Sequence, residues 1–491
     1  MKKVDSSKET TLRKMVWSFM DTFGSKGIYL IIQLILARIL TPSDFGVIGI
    51  VSIFIVLSTV LYDSGFANAL LREKESTQSD YSTVFLYNLM VSTSLYFILV
   101  ISSGIISRYF DTPQMGNIIR VLGIVLIIDS VGFVQRIQLT KKLEFNLLMK
   151  INISCPIISG VVGIALALNG FGIWSLVFKL LMTQALLALL YTITNRWKPS
   201  LVFSKTSFKR LFNFGWKLLA AKLISQFYEN LYALIIGSGF SMSTLGFYTE
   251  AQKLSTSASY SIESSVEQVS YPVLSKFQDD EPRLKDAFQK TFRNTVFIIF
   301  PVMLVLAAIA PAMFRLLLGD NWLPAIPYFQ IMCFAGIFTP LHSLNLNILQ
   351  VKGRSDLYLR KSIIGNLIAT IVVGSVLIFN LGIYGLLWGL VVDYFISYFN
   401  NASHTKLLIG YSIVDQLKDI RIVFAISLFT AVVAYSFNTM NFINDFILIS
   451  TQLMTSAFIY LALSYVFKIK ELSTVYLLTQ PIQKKIWLKR I

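Results

Sequence analysis

Five lysines stand in stretches that are otherwise apolar: Lys26, Lys179, Lys217, Lys222 and Lys253. At the centre of a membrane helix each would cost roughly 2.5–3.5 kcal/mol, so water or acidic partners must reach them. Asp21, Asp63, Asp129, Glu229, Glu250 and Asp393 are the acids at hand. An ammonium group held in a wet cleft can bind a phosphate or carboxylate as a compact point charge. Lys222, Gln226 and Glu229 fall at i, i+4 and i+7, on one face of a helix. The stretch FYTEAQKLSTSASYSIESSVEQVSYP, residues 247–272, is as long as a membrane span yet carries four charges. Its Glu250, Lys253, Ser257, Ser261 and Ser264 form a polar stripe. Glu263 and Glu267 stand near its end, as gate carboxylates or simply solvated groups.

Blander readings exist for several of these. Lys217 lies near a charged end and can snorkel to the interface. Lys253 has Glu250 three residues before it as a partner, and Lys179 sits apart from the others, in a structural setting. Asp129 and Asp393 read as readily as structural groups. Enzymatic chemistry is poorly served. His342 and His404 are isolated, and Cys155 and Cys333 fall in apolar segments without metal spacing. There is no nucleophile–base pair and no phosphate-binding glycine loop, so no catalytic residue, cofactor or metal is expected.

The elements that must position these groups follow from composition. The chain has 491 residues, 55% hydrophobic and 14% charged, with a mean hydropathy of +0.66. Continuous apolar runs of about 20 residues recur throughout, which predicts an all-α integral membrane protein with about fourteen transmembrane helices. The net charge of +17 is concentrated in alternate loops. That is the positive-inside pattern, with both termini cytoplasmic; it argues against a nucleic-acid partner and for a lipid bilayer. The layout expected is a cytoplasmic N-terminus (1–15), an N-lobe of six spans (16–205), a C-lobe of six more (206–410), spans 13 and 14 (411–467) and a basic cytoplasmic tail (468–491). The tail mixes basic and apolar residues and suits the anionic inner surface. No loop is long enough for a separate domain.

The chain also resembles itself at an offset of about 200–211 residues, read on the sequence. TPSDFGVIGI (41–50) aligns with SMSTLGFYTE (241–250), setting Gly46 on Gly246. QLTKKLEFNLLMKIN (138–152) aligns with LQVKGRSDLYLRKSI (349–363), setting Lys141 on Lys352 and Lys150 on Lys361. NGFGIWSL (169–176) aligns with NLGIYGLL (380–387). Six spans separate the two copies, an even number, so the lobes are parallel repeats about an axis along the membrane normal, with a site expected between them. Lys26, Lys217, Lys222 and Lys253 lie in spans 1, 7 and 8, and Asp63 in span 2. Those are the first two spans of each lobe, and a shared water-filled central cavity is the expectation.

LILARILTPSDFGVIGI (34–50) resembles the first-span signature of polysaccharide flippases. YDSGFANALLREK (62–74) resembles the end of their second span, and LQVKGRSDLYLRKS the inner end of their tenth. The whole chain resembles the Wzx-type O-antigen and exopolysaccharide transporters, in the colanic-acid-transporter branch of the multidrug/oligosaccharidyl-lipid/polysaccharide superfamily. The resemblance implies alternating access through a cationic cavity in the bacterial inner membrane. The cargo implied is an undecaprenyl-diphosphate-linked oligosaccharide, moved from the inner to the outer leaflet, with a glycan polymerase as partner; H⁺ or Na⁺ antiport, the membrane potential and removal of product outside stay open as driving forces. Arg38 belongs to the signature, though its place at the outer end of span 1 also suits packing or topology. A cation-coupled multidrug exporter, a lipid II flippase and a membrane-bound glycan polymerase or ligase are the competing readings. The exporter should have an acidic cavity, the lipid II flippase an arginine-rich first lobe, and the enzyme a sizeable outside loop.

Overall fold

In TPSD, Thr41 precedes a proline and has an acid three residues on, which is the signature of a helix start. In the computed structural model Thr41 accepts a hydrogen bond from the Asp44 N–H, and the Asp44 carboxylate accepts from the Thr41 N–H at 3.0 Å. The same reciprocal cap, Thr77 with Asp80 and Ser412 with Asp415, opens two other helices. The structure describes residues 24–440 and 442–472. Asp21, the start of the first expected span and most of the basic tail lie outside the described residues.

Two compact units divide the chain, residues 1–246 and 247–491. The first holds helices α1 (residues 24–39), α2 (Pro42–Asp63), α3 (Phe66–Arg72), α4 (Gln78–Tyr109), α5 (Met115–Leu122), α6 (Ile124–Lys141), α7 (Phe145–Leu168), α8 (Ile173–Asn195) and α9 (Lys205–Gly239). Here α8 packs on α6 and α7, α4 on α6, and α9 on α2 and α3. Helix α10 (Met242–Ser275) starts in this unit and runs through the second. The second unit continues with α11 (Glu281–Leu317), α12 (Ile326–Val351), α13 (Ser355–Ile378), α14 (Gly382–Ala402), α15 (Thr405–Ile409), α16 (Ile413–Ser436) and α17 (Asp445–Val466). Its core is α11 against α12, α16 and α17, with α14 between α12 and α13.

Among the described residues, eleven helical segments are long and apolar enough to cross a membrane. Each of the other expected spans also falls on helix. Only residues 24–39 of the first are described, and α9 and α10, at 35 and 34 residues, have the length but are too polar to qualify by hydropathy. Several helices also begin well before their apolar stretch. Residues 281–293 of α11 are amphipathic, with Leu284, Phe288 and Phe292 fully buried on one face and Tyr411 edge-on against both rings. Burial at i, i+4 and i+8 extends the helix beyond the lipid-facing part.

Two close backbone approaches fix the first unit. At Ser64–Gly65 the chain turns left-handed between α2 and α3 (φ 45° and 73°), and a Cβ on Gly65 would lie 2.5 Å from the carbonyl oxygen of Gly215 on α9. A Cβ on Gly215 would lie 2.3 Å from the Ser64 oxygen in return, so only glycine fits on either side. This is the DSGF of the second-span motif. The second approach, of Gly46 to Gly246, is equally reciprocal.

Candidate functional site

The turn at Ser64–Gly65 sets the geometry of Asp63 just before it. Asp63 Oδ1 accepts the Ala67 N–H at 3.1 Å, which caps the first turn of α3. Its other oxygen, Oδ2, accepts from Lys222 Nζ at 3.0 Å. The structure thus brings together two expected site residues that are far apart in sequence. The Asp63 side chain is 13% exposed and that of Lys222 is 44% exposed. One ammonium proton serves the carboxylate, and the half-exposed remainder of the group has two further donors. A buried, doubly engaged carboxylate therefore holds a cation at the surface of α9. Beside it, Tyr62 donates a hydrogen bond to Asp129.

One turn and two turns along α9, Gln226 donates to Glu229, and the Asn230 amide returns to the Gln226 carbonyl at 2.8 Å. Lys222, Gln226 and Glu229 share the face the helical spacing predicts. Lys217 is exposed on the same helix, and Lys26 and Arg38 are exposed on α1. Lys179 is different. It is 4% exposed inside the first unit, with its ammonium 6.0 Å from the centre of the Tyr29 ring.

In the second unit the fully buried Glu250 accepts from Lys253 Nζ at 3.1 Å, and the Lys253 side chain is 55% exposed. The pattern matches the Asp63–Lys222 pair: a buried carboxylate bracing a cation that faces outward. Downstream, three serines of α10 donate to their own helix backbone. Ser257 donates to the Lys253 carbonyl at 2.6 Å, Ser261 to the Ser257 carbonyl at 2.7 Å, and Ser265 to the Ser261 carbonyl at 2.7 Å. A serine bonded to the carbonyl four residues back has used its donor and keeps only acceptor lone pairs for a ligand. Glu263 accepts from Ser343, and Asp393 is buried with Ser397 at 3.4 Å. Among the described residues no group of His, Cys, Asp and Glu could hold a metal ion.

Sequence reasoning missed several features. Lys141 Nζ donates to the Leu70 carbonyl at 3.1 Å and to Ser76 Oγ at 2.7 Å, tying α6 to the loop after α3. Lys352 Nζ donates to the Gln278 carbonyl at 2.9 Å, tying α12 to the loop after α10. These are the two lysines that the repeat sets on one another, and their alignment was the available signal. Arg210 Nη2 meets the buried Asp80 at 2.6 Å while its Nε meets Glu73 at 3.0 Å, a clamp no local spacing announces.

A family model described as "Polysaccharide biosynthesis protein" matches residues 35–327. The teichuronic acid biosynthesis protein TuaB of Bacillus subtilis (strain 168) is 26% identical over 70% of this chain and 71% of its own. The lipopolysaccharide biosynthesis protein WzxC of Escherichia coli (strain K12) is 25% identical over 88% of each. In fold the chain is similar to the lipid II flippase MurJ in an inward closed conformation, with a TM-score of 0.75 and 16% identity, covering 92% of this chain and 98% of that one. With eleven segments able to cross a membrane and the fold of that solved flippase, the chain belongs to the polysaccharide biosynthesis protein family.

Proposed function

We propose that this protein flips undecaprenyl-diphosphate-linked oligosaccharide units from the inner to the outer leaflet of the bacterial cytoplasmic membrane by alternating access, for surface polysaccharide assembly. The observation that carries this reading is the braced cation Lys222, on a helix too polar to qualify as a span by hydropathy, in a chain of the polysaccharide family. A diphosphate carries roughly two negative charges and needs fixed cations to cross a low-dielectric core. Lys222 supplies one, held in place before the ligand arrives, which lowers the ordering cost of binding. Lys253 on Glu250 is the second group of this kind, with Lys26, Lys217 and Arg38 as further cations. Gln226 and Ser257 offer hydrogen bonds to sugar hydroxyls. Glu229 and Glu250 are the carboxylates available to a coupling H⁺ or Na⁺, and a glycan polymerase would consume the flipped unit. The charge pattern sets both termini in the cytoplasm.

The test is reconstitution in liposomes with an undecaprenyl-diphosphate oligosaccharide, following its leaflet by access of external periodate. Wild type should transfer the lipid, Lys222→Ala should lose transfer, and Lys222→Arg should keep part of it. Transfer by all three would retain the flippase and discard Lys222 as its site. No transfer by wild type across several oligosaccharides would overturn the reading.

A further inference from the structure

Within the second unit a cavity of about 490 Å³ opens between the C-terminal turns of α10 and α12 and the first turn of α13. That lies within the range of roughly 300–1,000 Å³ for small-molecule sites. Glu267 and Tyr271 line it from α10, His342, Ser343 and Asn347 from α12, and Tyr358 from α13. Asn347 is 7% exposed, and its amide nitrogen has no hydrogen-bond partner among the described residues. A buried donor without a partner is destabilising; Asn347 lines the cavity, and a small rotation of its amide would turn that donor toward whatever fills it. The neighbours are already committed. Ser343 donates to Glu263, and His342 Nδ1 is 2.7 Å from the Asn401 amide nitrogen.

The vacant group is a donor, so an occupant must present an acceptor oxygen to it; a bare cation cannot. The lining includes a carboxylate and no lysine or arginine, so nothing there neutralises a phosphate. Glu267 can accept from a hydroxyl, and Tyr271 and Tyr358 can lie against an apolar ring face. Hydroxyls that both donate and accept, on a ring with C–H faces, describe a pyranose. We propose that this cavity is a glycan subsite, which holds one or more sugar rings of the cargo. The inference rests on the reading of the protein as a carrier of lipid-linked glycan, and it separates sugar recognition here from diphosphate recognition at Lys222.

The experiment is saturation-transfer NMR on the full chain in detergent, with the methyl glycosides of glucose, galactose and N-acetylglucosamine and with tetramethylammonium as the cationic probe. Wild type should transfer saturation to at least one glycoside. Asn347→Leu and Tyr358→Ala should each weaken that binding by about 3–10-fold, the worth of one hydrogen bond or ring contact. Tyr358 is only partly buried, so its variant stays informative if Asn347→Leu fails to fold. No transfer to any glycoside, transfer insensitive to the variants, or transfer only to tetramethylammonium would each overturn the proposal. Liposome transfer without glycoside binding would sink the subsite and leave the flippase. Variant-sensitive glycoside binding without liposome transfer would do the reverse.

Discussion

The first turns of α2 and α10 cross at a pair of glycines that the sequence aligns with one another. A Cβ added to Gly46 would lie 1.9 Å from the carbonyl oxygen of Met242, and one added to Gly246 would lie 1.8 Å from that of Pro42. Pro42 and Met242 are themselves equivalent in the alignment, and each glycine meets the other segment's backbone, so the contact is reciprocal. Both obstacles are backbone and neither can rotate away. The reciprocal cap of Thr41 and Asp44 further fixes the start of α2. An alanine at either position must push the two turns apart by more than about 1 Å, and overpacking of that kind costs on the order of 1–3 kcal/mol or more. Because one separation relieves both clashes, the double variant Gly46→Ala/Gly246→Ala should cost little more than one single variant. Independent sites would add. Thermal unfolding of the four proteins in nanodiscs, followed by tryptophan fluorescence, reads this directly. Singles several degrees below wild type with a clearly sub-additive double are expected. Singles within a degree of wild type, or strict additivity, would refute the reciprocal crossing.

Asp63 should matter through both of its oxygens. Asp63→Asn keeps an acceptor for the Ala67 N–H but loses the charge facing Lys222, a half-exposed pair worth about 1 kcal/mol or less. Asp63→Ala loses the cap as well, so its thermal unfolding should fall by about a further 1 kcal/mol equivalent. Equal losses in the two variants would show that the cap contributes nothing. On α10, Ser257→Ala and Ser261→Ala remove outward lone pairs but leave every backbone bond in place, and alanine is the better helix former by roughly 0.5 kcal/mol. Both variants should be as stable as wild type or slightly more so, with slower oligosaccharide transfer in liposomes. A drop in stability would mean these serines serve packing instead.

What could be read from the sequence was what repeats locally. The periodicity of 3.6 placed Lys222, Gln226 and Glu229 on one face. Apolar runs located the lipid-crossing part of each helix but not its ends. Hydropathy starts the ninth span near residue 294, whereas α11 begins at Glu281, because its end is set by the Asp280 cap and by the buried face of Leu284, Phe288 and Phe292. Asp63 could be named as an available acid, yet its pairing with Lys222 spans 159 residues and depends on the left-handed turn at Ser64–Gly65 meeting Gly215. The cavity at Asn347 had no signal at all. An asparagine in an apolar helix reads the same whether its amide is satisfied or vacant.

The polarity of α10 is the point where composition and structure had to be reconciled. Nine serines and threonines between residues 247 and 272 would be costly in hydrocarbon if each exposed a donor and an acceptor. Donating to the carbonyl four residues back removes the donor from that account, and Thr256, Ser257, Ser261 and Ser265 all do so. What the helix then offers outward is a line of acceptor oxygens with a single braced cation, Lys253, near its head. Such a surface is matched to a ligand with hydroxyl protons along its length and an anionic group at one end. It is poorly matched to a lipophilic cation, which would meet Lys253 first. Sugar hydroxyls and a diphosphate in one molecule would satisfy both halves of that surface, which supports the proposed lipid-linked glycan over a drug as the cargo.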